Sequence, residues 1–131
     1  MASQSGERLL RFALGENEYA LCLRDVAGLA SLGPVSAVPG TPPEIVGLAE
    51  WRGSLLTVLD LPLLLGCRAT EGDERESCLI RLAAPLRGVA FFLPAPVHLW
   101  RGETDRNDPA WISIDAHRLV RAVESRLRRG R

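Results

Sequence analysis

Short apolar runs separated by turn residues predict a chain built from many short strands. Three strand pairs follow from this pattern: Leu9–Leu14 with Tyr19–Leu23, Ile45–Trp51 with Ser54–Asp60, and Cys78–Leu82 with Gly88–Leu93. Trp111–Ile114 predicts a last short strand. Many short strands at regular spacing, with little helix between them, favour small β-barrels over a parallel sheet.

One long helix and two short helical pieces complete the predicted elements. The long helix spans Ala116–Arg129, where apolar residues recur at helical spacing: Leu119, Val120, Val123 and Leu127. Asp115 is placed to cap its N-terminus. Leu61–Gly66 predicts a short helix with a proline near its start, and Leu23–Leu29 favours a single helical turn over a strand. Loops are predicted at residues 33–43, 67–76 and 101–109.

The composition is that of a globular domain. The 131 residues are 47% hydrophobic and 24% charged, and the 16 basic residues balance the 16 acidic ones. These are ordinary globular values, and a net charge of zero exerts no overall attraction toward nucleic acid. The basic residues are all arginine, so no lysine is available for a Schiff base or a phosphate-binding loop.

Three features of the sequence predict a soluble, cytoplasmic protein. The three cysteines include no Cys-x-x-Cys pair, which favours a reducing compartment over a disulfide framework. Met1–Glu7 is polar and lacks the apolar core of a signal peptide. The longest uncharged stretch, Val26–Pro43, contains four prolines and three glycines, which argue against a membrane-spanning helix. We therefore expect no membrane insertion.

The chemically reactive residues favour a protein without catalytic activity. His98 and His117 have no sequence neighbours that suggest a catalytic triad, and no serine lies in a Gly-x-Ser-x-Gly motif. Cysteine and histidine do not occur at the short paired spacings of a metal site. The chain also lacks a phosphate-binding loop and a dinucleotide fingerprint. We predict no enzyme, and no catalytic, cofactor-binding or metal-binding residue.

The C-terminal segment Arg118–Arg131 carries six arginines and only one acidic residue, Glu124. A basic amphipathic helix can bind nucleic acid, a membrane surface or an acidic partner. This segment supports an alternative function, in which a small β-barrel binds nucleic acid or an anionic surface through its Arg-rich helix. We favour a solvated, solubilising terminus, because the segment contains no aromatic residue and its apolar face is expected to pack on the barrel.

The segment Val38–Leu61, VPGTPPEIVGLAEWRGSLLTVLDL, resembles the signature of the CheW family, the scaffold proteins that couple chemoreceptors to the CheA histidine kinase in bacteria. The matching residues are Val38-Pro39, Thr41-Pro42, Ile45, Gly47, Arg52-Gly53 and Leu59-Asp60-Leu61. The resemblance implies a mainly β fold of two SH3-like barrel subdomains. It also implies a non-catalytic adaptor that links the regulatory domain of a CheA-type histidine kinase to the cytoplasmic tip of a chemoreceptor.

The chain departs from the family pattern at several positions. Gly28 replaces an acidic residue, Glu50 an asparagine, Thr57 a proline and Phe92 an aspartate. The second half also lacks a repeat of the Ile-x-Gly-Val segment, so it resembles a shortened family member. We expect one CheW-like domain over residues 1–131, with a first half at about 8–66 that carries the motif and a shortened second half at about 77–131.

The resemblance and the strand pattern together predict a protein-binding surface near Arg52. Arg52 stands at a strand-to-strand connection, where an exposed guanidinium can form two hydrogen bonds to a partner carboxylate. With the acidic position occupied by Gly28, Asp25 or Glu50 would have to pair with Arg52, or Arg52 is free for a partner protein. We expect this surface to consist of Arg52, Glu50 and nearby apolar residues: Val26, Leu29, Leu48 and Leu56. We expect structural roles for two further residues of the motif. Gly47 indicates an irregularity in its strand, and Asp60 is placed as a helix N-cap.

Overall fold

The computed structural model describes residues 7–67, 77–102 and 111–129. Over these residues the strands are β1 Glu7–Leu14, β2 Asn17–Cys22, β3 Val26–Ala30, β4 Val35–Ser36, β5 Ile45–Trp51, β6 Ser54–Asp60, β7 Cys78–Leu82, β8 Val89–Leu93, β9 His98–Gly102 and β10 Ile112–Ile114. The α-helices are α1 Leu61–Leu64 and α2 Ala116–Arg129, and a 3₁₀ turn spans Leu23–Asp25.

The strands form two mixed sheets. The smaller sheet has the order β10-β2-β1-β9, and the larger sheet has the order β3-β7-β8-β6-β5-β4. Neighbouring strands are antiparallel except for two parallel pairs, β10 with β2 and β6 with β8. The predicted mainly β fold of two units with a C-terminal helix is confirmed. Each sheet takes strands from both predicted halves of the chain, so the halves are intermixed in space.

The main core lies between the smaller sheet, one face of the larger sheet and α2. Its completely buried side chains include Leu21 from β2, Ile80 from β7 and Phe91 from β8. A second core covers the other face of the larger sheet and contains Ala49, Leu56, Val58, Leu79, Ala90 and Phe92. Strand β8 is therefore buried on both faces, which explains its uninterrupted apolar sequence.

Helix α2 begins and packs as its sequence predicts. The backbone N–H of Arg118 donates to Oδ1 of Asp115 at 3.2 Å, which satisfies one of the free donors of the first turn. Ala116, Val120 and Val123 are buried in the main core. Leu127 is 39% exposed, because the last turn extends past the core. No helix among the described residues is long and apolar enough to cross a membrane.

Gly47 marks a close approach between β4 and β5. Its φ is +150°, and a Cβ atom at this position would lie 2.3 Å from the carbonyl oxygen of Ser36. The register of β5 against β6 also shifts between Ile45 and Gly47, as in a β-bulge. Both observations confirm that Gly47 is required by the backbone geometry of this strand.

Three segments differ from the sequence-based expectation. Val35–Ser36, within the predicted loop 33–43, forms β4 because it pairs with β5. The helical turn ends at Asp25, and Val26–Ala30 forms β3, because its backbone pairs with β7 in the larger sheet. Residues His98–Gly102 form β9, although the sequence predicts a loop from residue 101, because they pair with Glu7–Arg11 of β1. The central parts of the predicted loops, residues 68–76 and 103–109, lie outside the described residues.

Candidate functional site

The β5–β6 turn presents Arg52 to solvent. Arg52 and Gly53 have φ values of +48° and +82°, the positive pair that a type I′ hairpin turn requires. Trp51 and Ser54 flank the turn as a cross-strand pair, so two residues make the connection. The Arg52 side chain is exposed, and no salt bridge joins it to a carboxylate in the described parts of the chain. A tight turn therefore carries an exposed cation with no acidic partner in these segments.

Trp51 packs directly over Gly28. A Cβ atom on Gly28 would lie 3.1 Å from Cζ2 of Trp51, so the indole ring rests against the backbone of β3. A side chain at position 28 would require this ring to shift by a few tenths of an ångström. The indole therefore fills the space beside Gly28, and this position offers no carboxylate to Arg52.

A shallow groove of about 270 Å³ runs between the loop after β3 and the β5–β6 turn. Its lining includes Leu29, Pro34, Glu50, Trp51, Arg52 and Leu79. Trp51 and Leu79 belong to the second core or pack against it, so the groove has an apolar base. The exposed side chains of Glu50 and Arg52 lie at its rim. We call this feature the Arg52 groove.

The structure brings together three of the predicted site residues. Leu29, Glu50 and Arg52 all line the Arg52 groove, and Leu29 is 43% exposed. Leu48 is half-buried opposite Thr57, and Val26 is half-buried against the main core. Neither of these two residues lines the groove.

The prediction that Leu56 is part of the protein-binding surface is corrected by the structure, because its side chain is buried and inaccessible to a partner. Its side chain is 0% exposed in the second core, while the adjacent Leu55 is 66% exposed. Successive side chains of a strand point to opposite faces, and the face of β6 that carries Leu56 is covered. The accessible leucine near the turn is Leu55.

Sequence reasoning missed the contribution of Trp51 to this surface. Trp51 lines the groove and fills the space beside Gly28. A tryptophan immediately before the Arg-Gly turn was the available signal, since large aromatic side chains are enriched at protein interfaces.

Asp60 lies near the end of the motif and has a structural role. It is 7% exposed, and its Oδ1 accepts a hydrogen bond from the backbone N–H of Leu63 at 3.2 Å. Burial raises the pKa of its carboxyl group above the usual value, and the hydrogen bond from Leu63 opposes part of this shift. Asp60 is thus the N-cap of α1, as its sequence position predicts.

The described residues contain no group of three or more His, Cys, Asp or Glu side chains placed to hold a metal ion. His98 lies on β9 and His117 on α2, and both have some exposed surface. The Arg52 groove offers apolar contacts and a guanidinium, which suit the binding of another protein surface.

Comparisons with known proteins show the family to which the chain belongs. The CheW-like domain model matches residues 8–93. The probable chemotaxis protein CheW of Rhizobium etli and the chemotaxis protein CheW of Rhizobium meliloti are each 24% identical over 78 residues, which cover 60% of this chain and 50% of each relative. The chain thus matches about half the length of these curated relatives.

The fold also matches a solved structure. The crystal structure of the scaffolding protein TtCheW from Thermoanaerobacter tengcongensis superimposes with a TM-score of 0.66 and 22% sequence identity. The matched region covers 78% of this chain and 64% of that chain. The predicted fold is confirmed by this match. Because the family match spans residues 8–93, well over half of the sequence, the chain belongs to the family of CheW-like domains.

Proposed function

We propose that this protein is a non-catalytic adaptor of a bacterial chemosensory signalling complex. Family membership supports the proposal, as do the names of its relatives, which are chemotaxis proteins and a scaffolding protein. The single observation that carries it is the exposed Arg52, held on a two-residue turn at the rim of an apolar groove. The partners are the regulatory domain of a CheA-type histidine kinase and the cytoplasmic tip of a chemoreceptor.

The mechanism of such an adaptor is positioning. Strands β5 and β6 hold the turn on both sides, so its backbone loses little conformational freedom when Arg52 binds a partner. The guanidinium can donate two parallel hydrogen bonds to a carboxylate, which fixes the orientation of the partner. Leu29 and Trp51 supply apolar surface beside this contact, and burying that surface contributes affinity.

Replacing Arg52 with alanine tests the groove. A charge-assisted hydrogen bond at an interface contributes roughly 1.5–3 kcal/mol, so Arg52→Ala should weaken binding by about tenfold or more. The melting temperature should change little, because the side chain is exposed and makes no ion pair within the described segments. Calorimetric titration against the kinase regulatory domain, with a parallel thermal melt, measures both quantities.

Arg87→Ala is the matched control, because Arg87 is an exposed arginine near another strand connection and does not line the groove. A second variant, Leu29→Asp, places a charge in the apolar part of the groove and should also weaken binding. Tight binding that neither Arg52→Ala nor Leu29→Asp alters would show that the interface lies elsewhere. Absence of binding by the unmodified protein would contradict the adaptor function itself.

A further inference from the structure

Three exposed arginines cluster at one end of the smaller sheet, away from the Arg52 groove. Arg8 on β1 and Arg101 on β9 are direct cross-strand partners in the antiparallel register. Their side chains therefore project from the same face of the sheet, with Cβ atoms roughly 4.5–5.5 Å apart. Like charges in this arrangement repel each other, so the pair is unfavourable in the absence of an anion.

Arg24 adds a third positive charge to this pair. It lies in the 3₁₀ turn that follows β2, and with Arg8, Cys22 and Leu23 it lines an open depression of about 370 Å³. Arg8, Arg24 and Arg101 are all exposed. We call these three residues the Arg8 cluster.

None of the three arginines of the Arg8 cluster forms a salt bridge with a described residue, whereas two other arginines of the fold do. Arg11 forms an ion pair with Glu18 at 3.3 Å, and Arg126 forms one with Glu44. Within residues 7–67, 77–102 and 111–129, no salt bridge or side-chain hydrogen bond satisfies Arg8, Arg24 or Arg101. One end of the smaller sheet and the adjoining 3₁₀ turn thus carry three exposed arginines that no described carboxylate neutralises.

We propose that the Arg8 cluster binds a short acidic segment of a protein partner. Carboxylates match the planar donor pairs of guanidinium groups, and a bound carboxylate would also relieve the repulsion between Arg8 and Arg101. Leu23 lines the same depression and offers an apolar contact for a neighbouring side chain of the segment. The occupant is therefore a peptide with several Asp or Glu residues and an apolar residue among them.

The surroundings favour a short peptide over nucleic acid. Asp25 directly follows Arg24, and the whole chain has a net charge of zero, so an extended polyphosphate would meet repulsion beyond the cluster. This surface shares no lining residue with the Arg52 groove, and the two lie on different sheets. The inference gives the adaptor a second contact surface, and it does not depend on the identity of the first partner.

A labelled acidic peptide tests the site directly. The probe is fluorescein-labelled Glu-Glu-Leu-Glu-Glu amide, followed by fluorescence anisotropy at low ionic strength. The double variant Arg8→Gln/Arg101→Gln should bind the probe about tenfold more weakly, because two charge-assisted contacts are lost. The neutral peptide Gln-Gln-Leu-Gln-Gln amide should not bind to the unmodified protein.

The matched control is Arg118→Gln/Arg121→Gln, which removes two exposed arginines from α2 and changes the net charge equally. Its affinity for the acidic peptide should stay within about twofold of that of the unmodified protein. Equal losses in both double variants would show non-specific attraction and overturn the proposal. A larger loss in the α2 variant would place the site on the Arg-rich helix and would also overturn it.

A thermal melt without peptide provides an independent measurement. Arg101→Gln removes the repulsion with Arg8, so its melting temperature should rise by roughly 1–4 °C at low salt. Added salt should reduce this difference because it screens the two charges. If Arg101→Gln is folded and its melting temperature is unchanged or lower, the two guanidinium groups do not repel each other. This result would contradict the arrangement on which the proposal rests.

Discussion

At the scale of single residues, Asp60 and Gly47 show how the signature segment holds its shape. Asp60 is a buried carboxylate that caps α1, and Gly47 allows β4 to approach β5. In each case the residue type is set by the nearby backbone, which leaves no room for a Cβ atom at position 47 and presents a free N–H group to position 60. Neither residue lines the Arg52 groove, so their substitution tests stability and leaves the contact surface in place.

We expect Asp60→Asn to stabilise the protein increasingly as the pH rises from acidic to neutral. Burial raises the pKa of Asp60, so the folded state binds its proton more tightly than the unfolded state does. Stability from this group is present below the ordinary carboxyl pKa and is lost as the pH rises through the raised value. Asparagine keeps the cap without the charge, since it caps helices about as well as aspartate.

Urea unfolding at pH 4 and at pH 7.5 measures the difference between the two proteins. Asp60→Ala is the control, because it removes both the charge and the cap and should be about 1 kcal/mol less stable than Asp60→Asn at both pH values. A stability difference between aspartate and asparagine that is the same at both pH values would contradict the expected role of burial.

We expect Gly47→Ala to destabilise the fold strongly. The new Cβ would lie 2.3 Å from the Ser36 carbonyl oxygen, and backbone atoms cannot rotate away as a flexible side chain can. The φ of +150° adds strain of roughly 1–3 kcal/mol for a non-glycine residue. Gly33→Ala is a matched control with no atom within 4 Å of its added Cβ. Chemical denaturation should show a loss for Gly47→Ala alone, and equal stabilities would disprove the close approach.

At the scale of secondary structure elements, α2 closes the main core. Ala116, Val120 and Val123 pack beside residues of both sheets, and the ion pair between Arg126 and Glu44 joins the helix to the segment before β5. The helix therefore connects the C-terminal part of the chain to the signature segment. Its opposite side carries the exposed Arg118 and Arg121.

We expect Val123→Ala to destabilise the protein by roughly 2 kcal/mol, because it removes two buried methyl groups from the main core. Arg121→Ala lies on the exposed side of the same helix and should stay within about 0.5 kcal/mol. Thermal and urea unfolding followed by circular dichroism compare the two variants. Similar losses for both would mean that α2 does not pack on the core through Val123.

At the scale of the whole molecule, the fold has two cores on either side of one sheet. The larger sheet separates the main core from the second core, and Phe92 occupies the second one. The position that the family pattern gives to an aspartate therefore serves packing in this chain.

We propose that one of the two contacts of a full adaptor is weakened or lost in this protein. A specific interface buries about 800 Å² on each partner. The second half lacks the repeated Ile-x-Gly-Val segment, and Phe92 packs in the second core at the position where the family pattern has an aspartate, so we expect less contact surface there. Reconstitution of receptor–kinase arrays with this protein as the only adaptor should therefore give partial kinase activation. A full-length CheW protein serves as the reference. Activation equal to that reference would show that both contacts are intact.

The amino-acid sequence by itself determined the local structure of this protein. The β5–β6 turn at Arg52-Gly53, the Asp60 and Asp115 caps and the bounds of α2 all match their predictions. Each depends on interactions within a few residues of the chain, such as a positive φ or a side chain bonded to a nearby N–H. The signature segment likewise predicted the family, which the family match confirms.

The sequence predicted the three hairpins, and only the tertiary structure decided how they join into sheets and which leucine is accessible. Segment Val26–Ala30 and β9 became strands because distant partners, β7 and β1, supply their hydrogen bonds. The choice between Leu55 and Leu56 also depended on distant residues, because both faces of the larger sheet pack against a core and its apolar runs do not mark the open side. The Arg8 cluster arises in the same way, since residues 8 and 101 meet only through the register of β1 against β9.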